Sequence, residues 1–192
     1  MAVDSSRNSL SEPAPIWSEQ HRLCGERALP PYRFVSGLNP HPVRHPDGHS
    51  HGVSEDYVLL HPGRWMDSME YLYGIDLYHH AYFWEAHEEW EGLWKLAERG
   101  SQRLYLQALI KLSVAQLKLS WGSVEGGRKL SASSAELLRT VLETLPQEAE
   151  SRFMGIYLPD LLAGIEAYWK SIWDGGGRTV RARTGFVHDA DI

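Results

Sequence analysis

The chain has 192 residues, 43% of them hydrophobic and 23% charged, and a formal net charge of −6. That is enough apolar material for one domain with a full core, which excludes a wholly disordered chain. The acidic balance argues against the basic surface that nucleic-acid binding needs. One cysteine, Cys24, excludes an intramolecular disulfide and a Cys-based zinc site. No apolar run reaches the roughly 18 residues of a membrane helix. Residues 1–11 lack the apolar centre of a signal peptide. The expectation is a soluble, cytoplasmic protein with neither a nucleic-acid nor a membrane partner.

Residues 1–29 mix Ser, Pro, Glu and Arg with scattered apolar residues and read as a weakly ordered segment. Residues 30–63 read as an extended strap rich in Pro, Gly and His. Its prolines, from Pro30 to Pro62, lack a backbone N–H and oppose a helix. Tyr32, Phe34 and Val35 are its candidate anchors. Residues 64–174 read as a helical domain. Asp67 or Ser68 caps a short helix through Tyr73, which Gly74 interrupts. Asp76 caps a second helix over 76–99, stopped by Gly100. Ser101 caps a third over 101–121. Its Leu104, Leu106, Leu109, Ile110, Leu112 and Leu117 lie nearly all round it, the mark of a helix buried on most sides. A fourth helix runs from Ser123 to before Pro146. A fifth opens at Pro159 and reaches Trp173. Residues 175–192 form a tail in which Arg178, Arg181 and Arg183 read as solvated. Short connections make sequence neighbours antiparallel. The predicted fold is all-α, a compact bundle of about five helices around the 101–121 helix, with the strap in front.

The densest polar cluster runs from Glu85 to Glu91. On a helix, His87, Glu91 and Trp94 share a face, and His80 and Trp84 extend that line toward the N-terminus. Glu85, Glu88 and Glu89 form a lateral rank. An imidazole one turn from a carboxylate offers a metal one nitrogen and one oxygen. The same pair can instead hold a proton as an orienting hydrogen bond. Two ligands are too few for a tight site. Glu91 stands where a zincin would place its second histidine. A di-iron bundle needs Glu-x-x-His on two helices, and the central helix offers only Gln107, Lys111 and Gln116. Further ligands would come from His79, from His80, from Glu88 or from the strap. Five of the ten histidines fall between positions 41 and 61, and His49, between Gly48 and Ser50, is the first candidate among them. Glu88 is also the candidate general base. Lys111 sits in the most apolar helix and must meet a carboxylate or snorkel out. Pairing with Glu88 or Glu91 would make it compete with a metal. Gln107, one turn earlier, is placed to hydrogen-bond across to the site.

Residues 71–100, YLYGIDLYHHAYFWEAHEEWEGLWKLAERG, resemble the signature of an uncharacterised bacterial and archaeal family called domain of unknown function 309. That signature is a histidine, a glutamate four residues later and an aromatic three beyond it, here His87, Glu91 and Trp94. Leu106, Gln107, Leu109 and Ile110 match the family's central-helix pattern. The strap PPYRFVSGLNPHPVRHPDGHSHG is similar to a segment preceding the domain in one branch. The resemblance covers roughly residues 30–145. It implies a compact helical domain around one central helix and a metal on the His…Glu…Trp motif, and it implies no established activity. Some positions depart from the pattern. His79 replaces an Asn, Ala81 a Gly, and Lys111 the second Gln of the central helix. The added histidine favours a metal and the added lysine opposes it.

Two functions compete. One is a protein binding a divalent ion (Zn, Mn or Fe) through His87, Glu91 and Glu88, with His80 and His49 as further ligands. Its stronger form is a metal-dependent hydrolase of an unspecified small molecule. Trp94, Glu85, Gln107 and Lys111 would support that site. The other is a binding or homo-oligomerisation module with a protein partner, using Trp65, Trp84, Trp90, Trp121, Trp169 and Trp173 as contact area. There His87–Glu91 is a structural polar pair.

Overall fold

The computed structural model describes residues 22–54 and 56–174. The first 21 residues of the expected N-terminal segment lie outside the described residues, as does the tail at 175–192. A 3-10 turn at Pro62–Asp67 precedes the helices. These are α1 Met69–His79, α2 Phe83–Leu96, α3 Ser101–Ser120, α4 Val124–Thr144 and α5 Leu158–Asp174. The fold is all-α apart from one antiparallel hairpin, β1 Arg152–Phe153 with β2 Ile156–Tyr157. None of the helices is long and apolar enough to cross a membrane among the described residues.

The apolar circumference of α3 has the consequence expected of it. No residue of α3 is fully exposed. It packs between α2 and α4, burying Tyr105, Leu106, Ala108, Leu109 and Leu112. Pro159 falls in the first turn of α5, where its missing N–H costs nothing.

The first two helices are divided differently from the prediction. Gly74 does not interrupt α1, which runs through it. The glycine is there because the Trp90 indole lies on it: a Cβ would sit 2.3 Å from Trp90 Nε1. The break falls at residues 80–82 instead. Tyr82 N–H donates to Leu77 O at 2.8 Å and Ala81 N–H to Tyr78 O at 3.1 Å, the two bonds of a Schellman stop. Ala81 takes the left-handed conformation, φ +65°, that glycine usually supplies there. An alanine costs about 1 kcal/mol in that role, so residue type gives no sign of the stop. The hairpin also escaped prediction. Two-residue strands are too short to alternate, and the turn depends on positive φ at Met154 and Gly155.

Because α1 is continuous, Asp76 is not a cap. Its wholly buried carboxylate accepts the backbone N–H of Leu23 and of Cys24, both at 2.8 Å. Arg22 Nε lies 3.7 Å away. The described part of the segment expected to be weakly ordered is therefore fastened to α1. Tyr73 adds a bond from its hydroxyl to Ala28 O at 2.8 Å, and Tyr82 adds one to Pro30 O at 3.0 Å.

Burial, and then the charge of Asp76, push the Cys24 thiol up to about 11. Burial likewise holds the hydroxyls of Tyr71, Tyr105 and Tyr168 well above the ordinary tyrosine range. A group whose value is raised on folding stabilises the fold below its unfolded value and ceases to do so as pH passes the folded one. Stability should hold to about pH 9, then fall, first as Cys24 ionises and then as the tyrosines follow. Urea midpoints measured from pH 8 to pH 11 test this. A Cys24→Ala variant should lose the earliest part of the decline.

Candidate metal centre on the second helix

Three faces of α2 do three things. Ala86, Trp90 and Leu93 enter the core. Glu85, Glu89 and Gly92 lie buried beneath the strap. His87, Glu88 and Glu91 stay half-buried. These last three offer one ligand atom each, all within 4.8 Å of one another. His87 Nδ1 is 3.1 Å from Glu88 Oε1. Among the described residues this buried nitrogen meets Glu88 as an ion pair and not in hydrogen-bond geometry. Glu91 Oε1 lies 3.5 Å from Lys95 Nζ. Among the described residues, no hydrogen bond joins His87 to Glu91. Two carboxylates and an imidazole thus converge, His87 on Glu88 and Glu91 toward Lys95.

Trp94 borders this end of α2. The Arg103 guanidinium lies 4.0 Å over its ring and donates to Trp94 O and Ala97 O, both at 2.8 Å. A cation so placed favours the negative end of the α2 dipole. Trp94 Nε1 is buried without a hydrogen-bond partner.

The other predicted site residues lie elsewhere. His80 is outside α2, because the break at 80–82 removes it from the line through Trp84 and His87. Its Nδ1 is 2.8 Å from Asp76 O, at the end of α1. Lys111 donates to Ser133 Oγ on α4 at 2.6 Å and so is no competitor for the cluster. Gln107, half-buried on α3, shares no hydrogen bond with the three donors among the described residues. His49 does cross to α2, but to a different carboxylate: its Nε2 is 3.1 Å from Glu85 Oε1.

That contact is part of a wider seam. Glu85 Oε1 also accepts the Phe34 N–H at 2.9 Å. Phe34 and His41 both meet the Trp84 ring edge-on, at 5.6 and 5.3 Å. Further along, the Tyr57 ring covers Gly92, where a Cβ would come within 2.3 Å of it. Strap, α1 and α2 flank an open cavity of about 210 Å³. Its polar lining comes from Arg27, His49, Ser50, Glu85, Glu88 and Glu89, with Arg27 Nη2 2.6 Å from Glu89 Oε1. Glu88 lines this cavity and also belongs to the His87 cluster; His87 and Glu91 do not line it.

His49 bridges Glu85 and Ser50, with Nε2 3.1 Å from Glu85 Oε1 and Nδ1 2.9 Å from the Ser50 hydroxyl. Ser50, His49 and Glu85 stand in the order of a nucleophile relay. The carboxylates of Glu85, Glu88 and Glu89 nevertheless oppose the negative charge that acyl transfer develops. This chain of bonds positions the strap. Arg27, Ser50 and Tyr57 are not singled out by the sequence, whereas Glu89 stands there in the lateral rank with Glu85 and Glu88. Gly92, inside an otherwise strong helix, was the available sign that something packs closely there.

Residues 71–130 match the family model described as Domain of unknown function (DUF309). The match runs from α1 through α2 and α3 into α4, and it includes His87, Glu88, Glu91 and Trp94. The resemblance read from the sequence holds over this stretch. The chain matches no curated protein and no solved structure.

Proposed function

We propose that His87, Glu88 and Glu91 hold a divalent metal ion, with zinc, manganese and iron as the candidates. The observation that carries this reading is that His87, Glu88 and Glu91 each bring one ligand atom within 4.8 Å of the others. One nitrogen with two carboxylate oxygens suits all three ions. Three protein donors leave a coordination position open, as in hydrolytic zinc sites. The ion would supply Lewis acidity. If Glu88 instead stays off the ion, it would serve as the general base for a bound water. This is the reading of the chain as a metal-dependent hydrolase. Its compartment would be the cytoplasm, where the single buried thiol stays reduced.

Long-range proton–nitrogen NMR spectra of the histidine rings, followed through a zinc titration, test the assignment. The expected result is a shift of the His87 nitrogens, with those of His49 and His80 unmoved. A titration that moves other rings and leaves His87 in place would overturn it.

A binding or oligomerisation module is the second reading. It is favoured by the exposure of Val58 and Leu59, 70% and 57%, in the segment that crosses α2. Of the tryptophans expected to form the contact area, Trp121 and Trp173 are exposed, Trp65, Trp84 and Trp169 are half-buried, and Trp90 is wholly buried in the core.

A further inference from the structure

The strap is not held evenly along its length. At one end Tyr82 binds Pro30 O, and Glu85 accepts the Phe34 N–H. At the other the Tyr57 ring lies on Gly92, and Gln102 Nε2 donates to Leu60 O. Between these ends, residues 38–51 form a lobe bonded chiefly to itself. His45 N–H donates to His41 O and Ser50 N–H to Pro42 O, both at 3.1 Å, and His51 Nδ1 is 2.9 Å from Val43 O. Pro42 is the one buried residue of the lobe. A surface loop packed by its own groups is a unit that can move as one. A glycine stands at each border, Gly37 with φ +85° and Gly52 with φ +73°. A Cβ at either would meet nothing within 4 Å. The left-handed backbone, not packing, is what suits glycine there.

Among the described residues the lobe is fastened at few points. Leu38 and Asn39 turn back on Val35 around Gly37. The Tyr32 hydroxyl donates to Pro40 O at 2.9 Å and accepts the His49 N–H at 3.3 Å. The His41 ring rests against Phe34 and Trp84. The one polar side-chain contact to a helix is His49 Nε2 to Glu85 Oε1, 3.1 Å, with both side chains buried. His49 and Ser50 thereby form the cavity wall that faces Glu85 and Glu88.

We propose that residues 38–51 are a lid that swings on Gly37 and Gly52, with the His49–Glu85 contact as its latch. Closed, the lid supplies the His49 and Ser50 wall of the cavity. Open, it bares the face of α2 that carries Trp84, Glu85 and Glu88. A hinged loop of this kind admits a ligand and then covers it. The lid is independent of the metal reading, because no lid residue belongs to the His87 cluster.

Distances between spin labels on the full chain, read by double electron–electron resonance, measure the motion. Asp47→Cys on the lid is paired with Lys129→Cys on α4, both exposed positions. Cys24 is buried and stays unlabelled. The reference pair is Glu26→Cys, an exposed position before the strap, with the same Lys129→Cys. The lid of the otherwise unchanged chain should give one dominant distance. His49→Leu removes the latch and should raise a second distance about tenfold or more relative to the first. Gly37→Ala with Gly52→Ala strains the closed backbone at both hinges and should raise it about fivefold or more. The reference pair should keep its distance throughout. An Asp47 distance distribution that is the same with and without these changes would overturn the proposal. So would a reference pair that moves with the Asp47 pair, since the strap would then leave as one piece.

Discussion

Trp90→Ala is expected to destabilise the fold by about 3–5 kcal/mol, the range for removing a large buried aromatic. Trp90 is wholly buried. Its indole lies 5.9 Å from the Tyr78 ring, and its Nε1 donates to Tyr71 O at 3.4 Å. It joins α1 to α2 across Gly74, so the two positions must be coupled. Alone, Gly74→Ala should cost about 1–3 kcal/mol, because the new Cβ has nowhere to go. In the Trp90→Ala background the same change should stabilise by roughly 0.5–1 kcal/mol, the ordinary advantage of alanine over glycine within a helix. Urea unfolding of the wild type, both single variants and the double variant measures the cycle. A Gly74→Ala cost that is the same in both backgrounds would show that close approach to the indole is not what requires the glycine.

The second large effect is expected at Asp76. Its carboxylate holds two backbone N–H groups of the segment before the strap and lies near Arg22. Asp76→Ala leaves those donors unmatched, at a cost of about 3–5 kcal/mol. Asp76→Asn retains one acceptor and should cost less. The structural readout is local. Trypsin should cut at Arg22 and Arg27 in the alanine variant under conditions where the wild type resists. Destabilisation without faster cleavage there would mean that Asp76 acts within the bundle and does not fasten the segment.

Legibility from sequence followed the range of the interactions. The helices α3, α4 and α5 were readable because local signals bound them: a nearly continuous apolar circumference, Pro146, and Pro159 in a first turn. The junction of α1 and α2 was not. Gly74 looks like an interruption, and its reason is a tryptophan sixteen positions away that no window shows. Ala81 looks helical and is the stop. Asp76 looks like a cap and is a distant segment's anchor. The candidate site divides the same way. His87 and Glu91 were legible because the four-residue spacing is itself the geometry, and Glu88 is their chain neighbour. His80 was drawn in by assuming one helix over 76–99. The sequence leaves open whether His49 reaches α2; strap register decides that and which carboxylate it meets, and register depends on Phe34, Tyr57 and Gly92 together. Lys111 could choose among several partners within its reach, and it reaches Ser133.

The account rests most on a metal at His87, Glu88 and Glu91. Metal content by mass spectrometry, on untagged wild type beside a His87→Ala, Glu91→Ala double variant, tests that directly. The predicted result is about one divalent ion per wild-type chain and little in a folded double variant, since removing two of three donors leaves too few to hold the ion. Wild-type protein that is metal-free and takes up none of added Zn²⁺, Mn²⁺ or Fe²⁺ would contradict it.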